Sequence, residues 1–423
     1  MAQGFHEHDG VLHADGVSLA DIAAEYGTPS YVYCASVIRD QYATLRGALT
    51  KALPKDRQPM LCYACKANSN LAILKLLHNQ GAGLEIVSEG ELIRGLKAGF
   101  DPQNIVSTGV GKQDSEIAAG LRVGIHQFNV ESLPELYNIQ RIAADLDMQA
   151  TVVFRLNPDV SGGGHDKIST GRSRDKFGLS AARVHDAFET AKAMSHVNAV
   201  GLSVHIGSQV FTVEAFRHAF EKLPALVADL RGAGHTVSRL DIGGGFPIVY
   251  NDEKLLDLDA YARWVSDIIA PLETEIIMEP GRYLVGNSGV LLSRVLYVKE
   301  TQDRDFLVID AAMNDLIRPA LYDAYHGIEA VAGRDAPQKT YDIVGPVCES
   351  GDTFARERDL PQMQRGDLAV IRSAGAYGYC MTSNYNTRPA PAETLVDGEN
   401  ISVIRPRQRY EDIIGHDIVP DWL

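Results

Sequence analysis

Positive charge and long apolar segments are both scarce in this sequence. It contains 40 Lys and Arg residues against 55 Asp and Glu residues, which gives a formal net charge of -15. This excess argues against nucleic acid or an anionic membrane as a partner and favours a soluble cytoplasmic enzyme, although acidity that only serves solubility is equally compatible. No apolar run approaches the length of a membrane span, and the first residues contain neither the basic nor the apolar segment of a secretory signal. We therefore expect a cytoplasmic protein that binds neither nucleic acid nor membrane.

Cysteine is also scarce, and its distribution argues against disulfides and metal. An odd and scattered set of five cysteines is typical of free thiols in a reducing compartment: Cys34, Cys62, Cys65, Cys348 and Cys380. Cys62 and Cys65 form a C-x-x-C, but positions three apart on a strand point to opposite faces. No second cysteine pair exists to complete a zinc site. We therefore expect no metal site.

The chain is long enough for two domains, or for one large domain with an appendage. It has 423 residues, of which 45% are hydrophobic, and we find no internal repeat. The first segment predicts a short strand, a helix over Leu19 to Tyr26 and a strand over Ser30 to Cys34.

From about residue 36, apolar strands alternate with amphipathic helices. Eight such units over roughly 250 residues match the size of an α/β (β/α)8 TIM barrel, and a doubly wound open sheet is the alternative. The eight predicted strands are Met60 to Ala64, Leu84 to Val87, Ile105 to Thr108, Ile125 to Val130, Thr151 to Leu156, Ala199 to His205, Val237 to Ile242 and Glu275 to Met278. The predicted helices include Glu89 to Lys97, Asp114 to Val123, Leu133 to Asp145, Ala181 to Met194, Val213 to Arg231 and Tyr261 to Ile269.

After about Gly286 the pattern changes to short β-rich runs separated by turns. These runs predict an all-β C-terminal domain, a sandwich or barrel that also takes in the N-terminal strands. The predicted strands are Gly289 to Val298, Asp305 to Asp310, Thr340 to Val344, Leu368 to Ile371 and Ile401 to Pro406. The predicted division is an N-terminal segment over residues 1–35, a barrel over 36–285 and a β domain over 286–423.

Four of the predicted barrel strands end in residues that can take part in catalysis or ligand binding. Barrel enzymes keep their active sites at the C-terminal ends of the strands. Taken singly, these residues have ordinary explanations, such as a surface lysine, a core histidine or a tight glycine turn. Together, on one face of one barrel, they predict an active site. They are Lys66, the segment from His205 to Ser208, the segment from Asp241 to Pro247 and the segment from Glu279 to Arg282.

Three of these side chains suit pyridoxal phosphate. We expect Lys66 to be desolvated in the barrel mouth, which would lower its pKa and leave its amine available as a nucleophile or Schiff-base former. Glu279 can keep the pyridine nitrogen protonated, which makes the ring a strong electron sink and favours decarboxylation. His205 offers a flat face on which the ring can stack.

The glycine-rich turns suit the phosphate group of the same cofactor. Gly243, Gly244 and Gly245 lack side chains, so we expect their backbone N–H groups to approach an anion closely. Gly281 in the neighbouring loop can do the same, and the Ser208 hydroxyl is a further donor. Such a cradle late in a barrel is a common place for phosphate.

At these residues the sequence resembles the barrel-type (fold type III) pyridoxal-phosphate-dependent decarboxylases and, within them, the diaminopimelate decarboxylases. The resemblance covers essentially the whole chain. The matching segments occur in the family's order and are Tyr63 to Asn68, Ser88 to Leu92, Phe128 to Ser132, Lys167 to Gly178, His205 to Gln209, Asp241 to Pro247, Glu279 to Arg282, Arg318 to Tyr322, Cys348 to Asp352 and Ala374 to Gly378.

The resemblance implies a role for each matching cofactor residue. Lys66 binds pyridoxal phosphate covalently, His205 stacks on its ring and Glu279 pairs with its ring nitrogen. The residues implied to hold the phosphate end are Ser208, Gly244, Gly245, Gly281, Arg282 and Tyr377.

The substrate residues are implied in the same way. Arg282, Arg318 and Tyr322, with Tyr377 beside them, bind the substrate carboxylate farthest from the reacting carbon, since an arginine fork grips a carboxylate with two hydrogen bonds. Glu349 binds the distal ammonium, and Cys348 is the proton donor to the carbanion. Without the motif, Arg318 would be interpreted as a surface ion pair and Cys348 as a small buried hydrophobe.

The implied reaction is decarboxylation of meso-2,6-diaminopimelate to L-lysine and carbon dioxide, the last step of lysine biosynthesis. The implied assembly is a homodimer in which the loop of Cys348 and Glu349 completes the barrel site of the other subunit. The alternatives are decarboxylation of another basic amino acid or of carboxynorspermidine, and a catalytically inactive regulatory homologue.

Two positions depart from the family pattern. Glu89 stands where a small residue is expected after the second barrel strand. The segment 161–166 is rich in glycine, and we expect it to be mobile. Either difference can alter closure over the substrate.

Overall fold

The computed structural model describes residues 4–160, 171–172, 175–333 and 336–423, and the chain forms two compact units. The barrel unit comprises Arg39–Val249 and Glu253–Leu284, and the β unit comprises Met1–Ile38, Tyr250–Asp252 and Val285–Leu423. The predicted segment 161–166 lies outside the described residues. The three-part division at residues 35 and 285 stays a prediction.

The chain begins with elements of the β unit. Strands β1 (Phe5–His8), β2 (Val11–Ala14) and β3 (Val17–Ser18) form an antiparallel sheet and are followed by α1 (Leu19–Tyr26), β4 (Ser30–Cys34) and α2 (Ala35–Ala52). The Ser18 hydroxyl caps α1 by accepting from the N–H of Ala20 at 3.1 Å, and Gly27 ends the helix at a φ of 73°. The helix therefore has the bounds that its capping residues predict.

A closed barrel of eight parallel strands follows, and each strand pairs with its neighbours in chain order. All eight strands were predicted, because each lies in a short, largely apolar segment next to an amphipathic helix. They are β5 (Met60–Ala64), β6 (Gly83–Ile86), β7 (Ile105–Ser107), β8 (Gln127–Val130), β9 (Ala150–Leu156), β10 (Val197–Val204), β11 (Arg239–Asp241) and β12 (Glu275–Met278). The helices between them are α3 (Leu71–Asn79), α4 (Glu89–Ala98), α5 (Asp114–Val123), α6 (Leu133–Asp145), α7 (Ala181–Lys192), α8 (Val213–Phe220), α9 (Leu223–Gly232) and α10 (Leu258–Trp264).

Two predicted helices differ from the structure. The single helix expected over Val213 to Arg231 is the pair α8 and α9, and Pro224 lies in the first turn of α9. Proline lacks an N–H and clashes with a preceding helical turn, so it is accepted at the start of a helix but interrupts a continuous one. The helix expected to end at Ile269 begins earlier, as α10, and continues as a π-helical segment over Val265–Ile269.

The β unit is built on a sheet that includes β4. Strand β4 pairs antiparallel with the first strand after the barrel and parallel with a late one, so the N-terminal strand joins the C-terminal sheet as expected. The later strands are β13 (Gly289–Glu300), β14 (Asp305–Ile309), β15 (Ile328–Ala330), β16 (Gln338–Val344), β17 (Thr353–Pro361), β18 (Leu368–Ile371), β19 (Ala392–Asp397) and β20 (Asn400–Arg405), and the short helices are α11 (Arg282–Val285), α12 (Arg318–Tyr322) and α13 (Tyr410–Ile414). Strands β15, β17 and β19 were not predicted.

All five cysteines are free thiols. Cys34 in β4, Cys62 in β5 and Cys65 just after β5 are buried, whereas Cys348 and Cys380 are exposed. Within the part of the chain that the structure describes, no helix has both the length and the apolar character needed to cross a bilayer.

Candidate active site

Lys66 lies two residues past the end of β5, at the C-terminal end of the barrel strands. Its Nζ is 3.0 Å from both carboxylate oxygens of Glu85, whose side chain is fully buried. The Lys66 side chain is 41% exposed, so the expectation of a desolvated lysine is wrong. The cause is the parallel neighbour β6, which places Glu85 beside Ala64 in register and gives the ammonium a carboxylate partner. The amine is therefore accessible and held in place by one buried acid.

Glu279 lies just beyond β12 in a buried polar network inside the barrel. Its Oε1 accepts from the Thr108 hydroxyl at 3.0 Å and from Asn129 Nδ2 at 3.2 Å. The pKa of Glu279 is raised well above its usual range, first by burial and then by the nearby carboxylates of Asp241 and Glu85, while Lys66 opposes the shift. Glu279 is thus a carboxyl that keeps a proton where an ordinary glutamate would lose it.

Asp241, at the end of β11, forms a carboxyl pair with Glu279. The two side chains hydrogen-bond to each other. Asp241 also accepts from Asn129 Nδ2 at 2.8 Å and from the N–H of Gly243 at 3.0 Å. Burial raises the pKa of Asp241 as well, although these hydrogen bonds oppose the shift. Because these donors favour the anion at Asp241, the proton shared by the pair belongs to Glu279.

His205 follows β10, and the glycine turn after β11 fixes its orientation. Its Nδ1 accepts from the N–H of Gly244 at 3.1 Å, so the ring carries its proton on Nε2. The pKa of His205 is lowered well below its usual range, first by burial and then by the cations of Arg155 and Lys66. The imidazole is therefore a neutral aromatic surface.

The glycine turn differs from its expected role as a set of free amide donors. The amides of Gly243 and Gly244 already donate to Asp241 and His205. A Cβ at Gly244 would lie 2.1 Å from the carbonyl oxygen of Glu279, and one at Gly245, whose φ is 102°, would lie 2.7 Å from that of Gly207. Close packing of the strand ends thus requires these glycines, and their cofactor-binding role stays a prediction.

Arg282 and Ser208 meet at the same end of the barrel. Arg282 is buried, and its Nε and Nη2 donate to the Ser208 hydroxyl at 3.3 and 3.2 Å. Gly281 precedes it, and a Cβ there would lie 2.9 Å from that of Ala64. A guanidinium and a hydroxyl side by side, next to backbone without side chains, form a site suited to a phosphate group.

The residues at the barrel mouth fit pyridoxal phosphate. Lys66 offers an accessible amine, Glu279 offers a proton to a ring nitrogen, His205 offers a neutral ring face, and Arg282 with Ser208 offers an anion site. This donor set combines one amine, one acid with a raised pKa and one cation, as the cofactor's aldehyde, pyridine and phosphate require.

The contacts of four polar side chains in the barrel were not predicted from the sequence: Glu85, Thr108, Asn129 and Arg155. Buried Arg155 donates to Glu131 Oε1 at 2.7 Å, and its guanidinium lies 4.8 Å from the ring centroid of Phe177. The available signal was a polar residue inside or next to an otherwise apolar strand, since such residues are seldom buried without a partner.

The predicted substrate residue Arg318 is buried in the β unit, at the start of α12. Its Nη1 donates to the Tyr250 hydroxyl at 2.7 Å and to His326 Nε2 at 3.1 Å. Tyr322 ends the same helix and is half-buried, and so is Tyr377, which adopts a φ of 56°.

Cys348 and Glu349 are exposed in the loop that joins β16 to β17. Asp352 fixes this loop, because its two carboxylate oxygens accept from the N–H of Val347 at 2.7 Å and of Met313 at 2.6 Å. A hydrogen bond to Glu349 raises the pKa of Tyr385. The loop therefore presents a thiol and a carboxylate on an anchored turn, and their roles stay predictions.

Glu89, the departure after β6, occupies the first turn of α4. Its N–H donates to Glu116 Oε1 at 3.2 Å, and the Ser88 hydroxyl caps the helix by accepting from Glu91 N–H at 3.3 Å. An acidic residue here suits the positive end of the helix dipole, so the substitution is compatible with the local fold.

Comparison with known proteins also leads to a pyridoxal cofactor. Residues 38–286 match the family model described as pyridoxal-dependent decarboxylase, pyridoxal binding domain. A diaminopimelate decarboxylase from Pseudomonas aeruginosa is 45% identical over 417 residues, which cover 98% of this chain and 99% of that protein.

Solved structures of similar proteins lead to the same family. The diaminopimelate decarboxylase of M. jannaschii in co-complex with L-lysine has a TM-score of 0.95 at 35% identity and covers 100% of this chain and 99% of that chain. That of Helicobacter pylori complexed with L-lysine has a TM-score of 0.89 at 38% identity and covers 94% of this chain and 98% of that chain. This chain belongs to the pyridoxal-dependent decarboxylases and, within them, to the diaminopimelate decarboxylase family.

Proposed function

We propose that this chain decarboxylates meso-2,6-diaminopimelate to L-lysine and carbon dioxide with pyridoxal phosphate as cofactor. One observation carries the proposal. Lys66, His205, the glycine turn and Glu279 follow four strands of one closed barrel, in a chain 45% identical to a diaminopimelate decarboxylase.

Bound pyridoxal phosphate supplies the electron sink that accepts the electron pair left behind when a carboxylate departs as carbon dioxide. The chain's own residues prepare for this chemistry. Lys66 would hold the cofactor through its amine. Glu279 would give its proton to the ring nitrogen and, as the carboxylate that remains, would keep that nitrogen protonated. His205 would pack its neutral ring against the cofactor, because Gly244 orients the imidazole and burial disfavours its cationic form.

The phosphate end is assigned to the anion site around Arg282. The contact between Arg282 and Ser208 supports this assignment, because both groups can donate to the same anion. We assign the remaining phosphate contacts to Gly244, Gly245, Gly281 and Tyr377.

Recognition of the substrate is assigned to residues of the β unit together with Arg282. Arg318, with Tyr322 and Tyr377, would bind the carboxylate that is retained in L-lysine. Glu349 would bind the ammonium beside it, and Cys348 Sγ would give a proton to the carbon that loses its carboxylate. The buried position of Arg318 supports this role, since an arginine held by neighbouring side chains binds a carboxylate with little loss of entropy.

We further propose a cytoplasmic homodimer. In this arrangement the loop of Cys348 and Glu349 completes the barrel site of the partner subunit, so that a two-fold dimer contains two composite sites. The anchoring of the loop by Asp352 supports its use as a preformed part of a site.

Carbon dioxide release tests the reaction directly. The purified holoenzyme is assayed with meso-, LL- and DD-diaminopimelate, ornithine, lysine and arginine under identical conditions. We expect kcat/KM for meso-diaminopimelate to exceed every other value, because only this substrate pairs the reacting centre with the matching distal carboxylate and ammonium.

Other outcomes of the panel identify the alternatives. Preference for ornithine, lysine or arginine would replace our proposal with decarboxylation of a basic amino acid lacking the distal carboxylate. Absence of release from every substrate, in a protein whose absorbance shows bound cofactor, would indicate an inactive homologue. The Lys66→Ala variant is the matched control for background release.

A further inference from the structure

Two side chains of the β unit accept hydrogen bonds from Arg318. Its Nη1 donates one hydrogen to Tyr250 Oη at 2.7 Å and the other to His326 Nε2 at 3.1 Å. The guanidinium carbon also lies 4.7 Å from the ring centroid of Tyr250. His326 is 0% exposed and lies between α12 and β15.

The partners of His326 determine its tautomer. An arginine N–H can only donate, so Nε2 of His326 must accept. Its Nδ1 is 2.7 Å from the carbonyl oxygen of Arg372, which can only accept, so Nδ1 must donate. His326 is therefore a neutral imidazole with its proton on Nδ1, anchored to the main chain at one nitrogen and to Arg318 at the other.

The two hydrogen bonds from Nη1 orient the guanidinium of Arg318. In Arg318 both hydrogens of Nη1 are bound by a phenol oxygen and an imidazole nitrogen, which fixes the plane of the guanidinium. A guanidinium fixed in this way is prepared for a planar, two-point contact with a carboxylate.

We propose that His326 is the positioning residue that gives this protein its preference for ligands with a carboxylate remote from the reacting carbon. It acts through Arg318, and the proposal rests on the carboxylate-binding role given to Arg318 above. Loss of the bond between Nε2 and Nη1 removes one of the two hydrogen bonds that orient Nη1, so part of the cost of ordering the guanidinium then falls on ligand binding.

Two probes isolate this effect. L-Lysine and 1,5-diaminopentane differ only in the carboxylate, and their binding to the holoenzyme is followed by the change in cofactor absorbance. The measured quantity is the ratio of their dissociation constants, in which any shared effect of a variant on the amine end cancels.

Two variants separate the two nitrogens of His326. His326→Gln places an amide oxygen near the position of Nε2 and keeps an acceptor for Arg318, whereas His326→Asn keeps a donor near Nδ1 for the Arg372 carbonyl and removes the acceptor. We expect His326→Asn to lower the preference for lysine by about tenfold or more, as for a lost hydrogen bond to a charged group, with binding of 1,5-diaminopentane unchanged. His326→Gln should stay within about threefold of wild type.

The opposite pattern would overturn the proposal. If His326 only anchors the main chain, His326→Asn keeps the preference and His326→Gln loses it. Should His326→Asn fail to fold in a thermal melt, Tyr250→Phe removes the other acceptor of Nη1 and should lower the preference as well. An unchanged ratio in Tyr250→Phe would then overturn the proposal.

Arg318→Ala separates this proposal from the proposed function. If Arg318→Ala leaves the preference for lysine intact, the carboxylate-binding role of Arg318 is wrong, and the inference fails with it. If Arg318→Ala abolishes the preference while His326→Asn does not, only the positioning role of His326 is wrong.

Discussion

Replacing Asp241 by Asn tests whether the buried carboxyls inside the barrel share one proton. Burial raises the pKa of both Asp241 and Glu279. A carboxyl whose pKa is raised by folding contributes stability below its ordinary pKa of about 4, and loses that contribution as pH rises through its folded value. The cofactor-free protein should therefore become less stable with rising pH because of this pair. Gly243 N–H and Asn129 Nδ2 bind different carboxylate oxygens of Asp241, so the amide oxygen in Asp241→Asn can accept from only one of them. The variant should therefore be less stable than the wild type at every pH, and the test compares the pH dependence of the two proteins.

The size of the effect follows from the contact between the two groups. At an effective dielectric constant of about 20, two unit charges about 4 Å apart repel by roughly 4 kcal/mol. Hydrogen-bonded carboxyls are at least this close, and full ionisation of the pair costs an energy of this order. Between about pH 5 and pH 9, the free energy of unfolding of the wild type should fall by roughly 2–4 kcal/mol relative to Asp241→Asn.

Urea denaturation of cofactor-free protein at a series of pH values measures this difference. Glu279→Gln should reduce the pH dependence in the same way, and the double variant should add little, because the two groups act as one unit. Glu275→Gln, at the start of β12, is a control of opposite sign. A hydrogen bond from His126 is the main cause of the lowered pKa of Glu275, so its contribution is lost as pH falls. Parallel stability curves for wild type and Asp241→Asn would refute the shared proton.

Four further outcomes are expected. Lys66→Ala should abolish carbon dioxide release while leaving the melting temperature near that of wild type, and near wild-type kcat would contradict the cofactor assignment. Arg318→Ala should lower kcat/KM for meso-diaminopimelate by roughly two orders of magnitude, as expected when a carboxylate clamp of some 2–5 kcal/mol is removed; unchanged kinetics would make Arg318 a structural residue. Lys66→Ala and Cys348→Ser should each be inactive or severely impaired, but their mixture should recover about a quarter of wild-type activity after subunit exchange, since about half of the dimers then have one intact site. No recovery despite verified exchange would mean that each site is built within one chain. Asp352→Asn should cost about 1–3 kcal/mol in urea denaturation, because an amide accepts only one of the two backbone N–H groups that the carboxylate binds, and a smaller loss would show that the loop does not depend on this anchor.

The barrel was predictable because short, largely apolar segments alternate regularly with amphipathic helices along the chain. Strand β5 and strand β12 have the bounds expected from the sequence. The missed strand β17 has the sequence TFARERDLP, in which charged residues interrupt any alternation of polar and apolar positions. Its pairing with β16 supplies the order that its own sequence does not indicate.

The site was only partly predictable for a related reason. Motifs identified Lys66 and Glu279, but the partners of a side chain depend on strand register, which a sequence pattern does not specify. Glu85 reaches Lys66 because β6 is paired with β5, and Asn129 reaches both Asp241 and Glu279 across the barrel. The lysine was therefore expected to be desolvated when it is in fact exposed and ion-paired.

The native cysteines can be used to measure local unfolding of each unit, because some are buried and others are exposed. Cys34 is buried in the β unit and Cys62 in the barrel unit, whereas Cys348 and Cys380 are exposed. In the isolated subunit, a pulse of alkylating reagent should modify the exposed pair at once and the buried thiols only when their strands separate, so mass spectrometry of peptides can time the unfolding of each unit. In a Cys380→Ser background, the same reagent would place a single fluorescent or spin label on the loop of Cys348. No cysteine has to be introduced for either measurement.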